Sequence, residues 1–267
     1  MYKGRIDISY NYQERKLQQD NIYHVRGIVL EVTQLNEYDK RLVILSAELG
    51  RITVFANGAR HLKSPVRAIS QKFVMGTFDV AETHSAYKLV DGRIERMFSE
   101  ISFDLDKFAY ASYICEMSEY FTREGVKASE ELNLIFFTFQ AILKGDMSLN
   151  LIRAVFEIKI LQHEGLGLTV HECIKCGSME NLKFIDYNEG GVICKNCADK
   201  YHLKHVFYVS AGTIYILQYI LTRKNAELYS FSVNEETEKE LSKIVFNYSE
   251  YQCDRHFKSL DILKTLM

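Results

Sequence analysis

At 267 residues the chain is longer than one usual domain, and a prior of roughly 150 residues per domain gives two units, each able to bury a core. Hydrophobic residues make up 47% and charged residues 25%, which excludes disordered and collagen-like classes. The formal net charge of −2 requires any surface for a polyanion to be a local patch.

Residues 1–21 hold no apolar h-region and no small-residue cleavage site, and they read as an N-terminal extension. Apolar runs such as Leu134 to Phe139 and Ile214 to Leu217 stop far short of the ~18 residues of a membrane span. A cytoplasmic protein without a membrane partner is expected.

From Ile22 the pattern has a period of two. His24 to Thr33, Arg41 to Ser46, Arg51 to Asn57, Lys72 to Ala81 and Ala86 to Glu95 alternate β-branched with other residues between turn signals, and predict the strands of a small barrel over 22–97. Glu48-Leu49-Gly50 reads as a hairpin turn, with Gly50 free to take a positive φ. Gly58 to Ser70, with the chain's single proline, Pro65, reads as a loop or short helix.

After Phe98 the period becomes helical, and 98–267 is expected to be a mainly helical domain. Leu105, Phe108, Ala109, Ser112, Tyr113, Glu116, Met117 and Tyr120 form the stripe of a first helix. Leu132, Ile135, Phe136, Phe139 and Leu143 form a second that ends near Gly145. Leu151, Ile152, Val155, Phe156, Lys159 and Ile160 form a third, stopped by Gly165 and Gly167. Further helices are expected after Ser210, Val233-Asn234 and Cys253-Asp254.

Four of the six cysteines interrupt this domain at about 170–205, as Cys173-x2-Cys176, seventeen residues, then Cys194-x2-Cys197. That spacing falls in the range of a four-thiolate zinc site, in which each CxxC knuckle presents two sulfurs from one tight turn. Disulfides, a redox pair and fortuitous thiols are the alternatives, and a reducing compartment favours structural Zn2+ over them. Leu182 to Asp186 and Gly191 to Ile193 can form the strands of a zinc ribbon. His171, His202 and His205 lie near enough to replace a thiolate.

Residues 49–78 contain Arg51, Arg60, Lys63, Arg67 and Lys72 and no Asp or Glu, a charge of +5 in a chain of −2. Guanidinium forks and ammonium groups on a barrel face suit a phosphate backbone, with Lys40 and Arg41 from the preceding loop added. Phe55, Phe73, Phe78 and Tyr87 are interleaved and offer rings for stacking on unpaired bases; the alternative is a solvated basic face with those rings inside the barrel. Nucleotide-binding glycine loops, zinc-protease helices, serine elbows and deaminase motifs are missing from the sequence, so catalysis has no foothold in it.

The order of these features is fairly specific. Gly27-Ile28-Val29-Leu30, the strand pair around Leu49-Gly50, the run Gly58 to Ser64, the helix Ile152 to Leu161 before Gly165, and Cys173-x2-Cys176-Gly177 followed by Gly190-Gly191-x2-Cys194-x2-Cys197 together resemble the bacterial RecO family. His61 stands where that family often has a second arginine.

The resemblance implies an α+β protein: an N-terminal OB-fold barrel, then a helical domain with an inserted zinc element. It also implies a DNA-binding mediator of recombinational repair that binds and anneals single-stranded DNA and also meets double-stranded DNA. The implied partners are RecR, single-strand-binding protein and, indirectly, RecA, in the cytoplasm at the nucleoid. The contrasting reading is a zinc-ribbon scaffold that joins proteins and touches no DNA.

Overall fold

The computed structural model describes residues 22–204 and 206–266, so the extension at 1–21 and His205 lie outside the described residues. Two compact units are present, one of residues up to Met97 together with Arg123–Lys127, the other of Phe98–Thr122 and Ala128 onward.

The first unit is a closed five-stranded barrel of β1 (Ile22–Gln34), β2 (Lys40–Ser46), β3 (Gly50–Ala56), β4 (Val74–Glu82) and β5 (Tyr87–Met97). Its order, β1-β2-β3-β5-β4 closing back onto β1, is that of an OB barrel, with one parallel contact where Val54 and Phe55 meet Tyr87 and Lys88. Alternation along β3 sends Ile52, Val54 and Ala56 inward, where they join Val29, Leu42, Ile44, Phe78, Val80 and Leu89 in the barrel core.

Gly50 has φ +68°, and a Cβ there would lie 2.1 Å from Arg123 O, so the turn needs glycine for both conformation and space. Arg123–Lys127 docks at this point: Gly125 N donates to Leu49 O at 2.9 Å and Arg51 N to Arg123 O at 3.3 Å. β4 begins at Val74 and not at Lys72, because Phe73 takes a left-handed φ of +67° while its N–H donates to Val29 O. Gly58 to Ser70 is a run of turns.

The second unit contains α1 (Leu105–Phe121), α2 (Ser129–Lys144), α3 (Leu149–His163), α4 (Lys195–Lys200), α5 (Ala211–Thr222), α6 (Glu235–Gln252) and α7 (Lys258–Leu266). Asp104, Ser148, Ser210 and Asn234 cap α1, α3, α5 and α6 by accepting from a backbone N–H three residues on, and Gly145 ends α2 with φ +72°.

α3 is the axis of this unit, packed against α1, α2, α5 and α6, so every residue from Leu151 to Leu161 is buried. Three of those residues carry charge. Arg153 Nε lies 3.7 Å from Glu157 Oε1, which also accepts from Tyr113 Oη at 2.8 Å. Lys159 Nζ donates to Gln162 Oε1 and to Arg223 O. Burial holds the Glu157 carboxyl above the ordinary range despite Arg153 and Tyr113.

One helical expectation needs correction and another a later start. In α1, Leu105 and Phe108 are exposed, whereas Tyr110, Ile114, Cys115 and Phe121 are buried, because α1 packs against α2, α3 and α7 and so has no single apolar stripe. The last helix follows Cys253-Asp254 as expected, but only from Lys258, because its cap comes from another helix. The Glu116 carboxylate accepts from Lys258 N at 3.0 Å and from Ser259 N at 2.9 Å.

The cysteine segment forms a three-stranded sheet of β6 (Leu182–Asp186), β7 (Gly191–Cys194) and β8 (Phe207–Tyr208), ordered β7-β6-β8. Among the described residues no helix is long and apolar enough to cross a membrane.

Candidate metal centre and nucleic-acid interface

Two tight turns hold the four sulfurs. In the first knuckle Gly177 N donates to Cys173 O at 2.8 Å, with Gly177 at φ +71°; in the second, Cys194 leaves β7 and its sulfur accepts from Cys197 N at 3.4 Å. The sulfurs of Cys173, Cys176, Cys194 and Cys197 all lie within 4.8 Å of one another, and Cys176 Sγ is 3.8 Å from Cys194 Sγ. A tetrahedral ion with metal–sulfur bonds of ~2.3 Å has edges of ~3.8 Å, so the donor set fits such an ion.

Burial opposes ionisation of Cys173, but N–H groups of Cys194, Lys175 and Cys176 outweigh it and bring the thiol down to about 6. Burial and the surrounding sulfurs push Cys197 up to about 12. A divalent cation at the centre would release the remaining protons. His171 and His202 do not join this cluster.

The basic residues divide into groups. Arg51 pairs with Leu45 near the β2–β3 turn, and Arg41 with Phe55 at the far end of the same hairpin, roughly 13 Å away at about 3.3 Å per residue. Lys40, Arg60 and Arg67 come together at that far end. Burial and the nearby Arg67 and Arg60 guanidinium groups hold the Lys40 ammonium below its ordinary pKa, while its Nζ donates to Ser70 O at 2.9 Å. Lys63 and Arg67 are exposed in the turns between β3 and β4, and Lys72 Nζ lies 5.1 Å from the centre of the Phe73 ring.

Asp39 fastens the loops at this end. Its carboxylate accepts from Asn36 Nδ2 at 2.8 Å and Gly58 N at 2.7 Å, and those two donors with His61 keep it below the ordinary carboxylate range. Arg60 N donates to Tyr38 O and Arg60 Nη1 to Asn36 O.

Phe78 and Tyr87 are buried in the barrel core and Phe73 is buried just before β4, so none of the three can stack on a base; Phe55 is half-buried. An accessible ring among the basic residues at this end is Tyr38, which is 45% exposed and stacks on His61 at 4.3 Å; Leu62, next in the chain after His61, is 84% exposed. An aromatic inside the polar turn Asn36 to Asp39 has no strand face to bury it, and that was the signal available for Tyr38.

A family model described as recombination protein O N terminal matches residues 21–98, and one described as recombination protein O C terminal matches residues 102–261. The DNA repair protein RecO of Acetivibrio thermocellus is 30% identical over 247 residues, 92% of this chain and 98% of its own length. That of Alkaliphilus metalliredigens is 29% identical over 244 residues, 90% of this chain and 98% of its own. That of Desulforamulus reducens is 28% identical over 247 residues, 92% and 95% of the two chains. With a barrel and a helical region each matched by its own half of one family, and with relatives aligned along nearly their full length, this chain belongs to the RecO family of DNA repair proteins.

Proposed function

We propose that the protein is a non-catalytic, cytoplasmic mediator of recombinational repair. It binds and anneals single-stranded DNA, with double strands as a further ligand, and helps recombinase onto strands coated by single-strand-binding protein. RecR, single-strand-binding protein and, indirectly, RecA are its partners, and a structural Zn2+ on Cys173, Cys176, Cys194 and Cys197 supports the second unit.

The observation that carries this reading is the gathering of Lys40, Arg60 and Arg67 at the barrel end that also exposes the Tyr38–His61 stack. Burial first, and then the like charges of Arg67 and Arg60, lower the Lys40 pKa; a phosphate would relieve the like-charge part, and the exposed ring at the same end suits an unpaired base. Lys40, Arg41, Arg60, Lys63 and Arg67 are the phosphate contacts at this end, with Arg51 and Lys72 as outlying ones.

Fluorescence anisotropy of a labelled single strand tests it. Roughly five phosphate contacts give a loss of about a hundredfold in affinity between 50 and 200 mM salt, at a slope near −0.7 per contact. Arg60→Ala with Lys63→Ala should weaken binding to all sequences alike. Affinity indifferent to salt and to this double variant contradicts the assignment.

A further inference from the structure

The zinc element carries an open cavity of about 510 Å3, lined among others by Tyr187, Asn188, Lys204, Phe207 and Tyr251. Local chemistry builds it. Asp186 Oδ1 accepts from the N–H groups of Asn188 and Glu189, which closes the turn after β6 and commits that carboxylate to its own backbone. Tyr251 Oη then donates to Asn188 Oδ1 at 2.8 Å, tying the end of α6 to the turn. On the other wall β8 pairs with β6 through Ile185 and Phe207, and the Phe207 ring stacks on Tyr187 at 4.5 Å and 19°.

These rings are not spent on a core. Phe207 remains 48% exposed with one face on Tyr187, and Tyr251 is 54% exposed. Large rings left in water around a concavity mark a binding surface, and the volume lies in the range of small-ligand sites. The charge around them selects the ligand. The charged residues in the lining are Asp186, whose Oδ1 is taken by the turn's own N–H groups, and Lys204, whose exposed side chain is left to meet a ligand. Exposed aromatic rings with a lysine at the rim complement an unpaired base attached to a phosphate.

We propose that this cavity is a second single-strand site, in which one unpaired base lies against Phe207 and Tyr251 while Lys204 contacts its phosphate. The proposal rests on the DNA-binding reading given above and deepens it: one chain then holds strand at two separate places, so a single molecule can engage both strands that it anneals. Sequence preference is weak, because every base offers a π-face.

The test uses the full chain with its native metal and an oligothymidine carrying 5-iododeoxyuridine, which cross-links to adjacent aromatic side chains on irradiation. Peptide mapping should find cross-links at Phe207 or Tyr251 in addition to the barrel. Lys204→Glu with Phe207→Leu should remove those while leaving the barrel cross-links and metal content intact, and should slow annealing roughly tenfold. If the double variant loses metal, Lys204→Glu alone, on an exposed side chain, carries the measurement and should still weaken the cavity cross-links. Cross-links confined to the barrel, with the variants annealing at the unsubstituted rate, overturn this site and leave a protein segment as its occupant. Failure of the unsubstituted chain to bind any strand overturns both this site and the reading beneath it.

Discussion

The Tyr38 and His61 rings lie 4.3 Å apart and 17° from parallel, joining the β1–β2 loop to the turns after β3. The backbone bond from Arg60 N to Tyr38 O and the Asp39 carboxylate hold these loops independently of the ring. Tyr38→Ala should therefore spare the fold and lower single-strand affinity roughly fivefold or more, the effect of losing one base–aromatic stack. Anisotropy titration and thermal melting of the same variant check this. A lowered melting temperature with unchanged affinity would show that the ring only braces the loops.

The four-sulfur cluster predicts about one equivalent of zinc per chain, and structural sites of this kind have apparent binding energies of ~10 to 16 kcal/mol. Cys176→Ser should lower metal content and stability together. Cys253→Ser should leave the metal in place, since Cys253 lies outside the cluster. Metal analysis of protein purified without chelator measures both, and full zinc content in Cys176→Ser contradicts the ligand set.

Glu116 supplies a pH-dependent link to α7. Burial pushes its carboxyl up, but donors from Ser259 and Lys258, with the Arg255 guanidinium, outweigh that and leave it below the ordinary range. A carboxyl lowered by folding stabilises the folded state above its unfolded pKa of about 4.3, and the contribution is lost as pH falls through the lower folded value. Hydrogen exchange of residues 258–263 should accelerate as pH falls below about 4 after correction for intrinsic rates. Glu116→Gln should weaken the helix by about 1 kcal/mol at neutral pH and flatten that dependence. Protection identical in both proteins across this range would rule the link out.

Barrel strands were legible because β-branched alternation and Gly50 act locally, and the two CxxC knuckles because their chemistry depends on spacing alone. What escaped was set by contacts distant in sequence. Glu116 caps a helix more than a hundred residues away, so no local signal marks Lys258 as its start. Arg153 and Glu157 resemble a solvated i,i+4 pair until packing encloses α3 on all sides. The basic window was visible as charge, yet strand register decides that Arg51 stands apart from Lys40, Arg60 and Arg67. Sequence leaves Phe73, Phe78 and Tyr87 open as stacking rings or as buried ones; alternation and barrel closure put Phe78 and Tyr87 in the core, and the left-handed turn before β4 buries Phe73.

Annealing of two complementary oligonucleotides coated with single-strand-binding protein, followed by fluorescence quenching without ATP, tests the central claim most directly. Neutralising phosphates lowers repulsion between strands and leaves base edges free to pair, so pairing should run well above the spontaneous rate, be slowed by Arg60→Ala with Lys63→Ala and be indifferent to added nucleotide. A rate equal to the spontaneous one across a range of protein concentrations would contradict it.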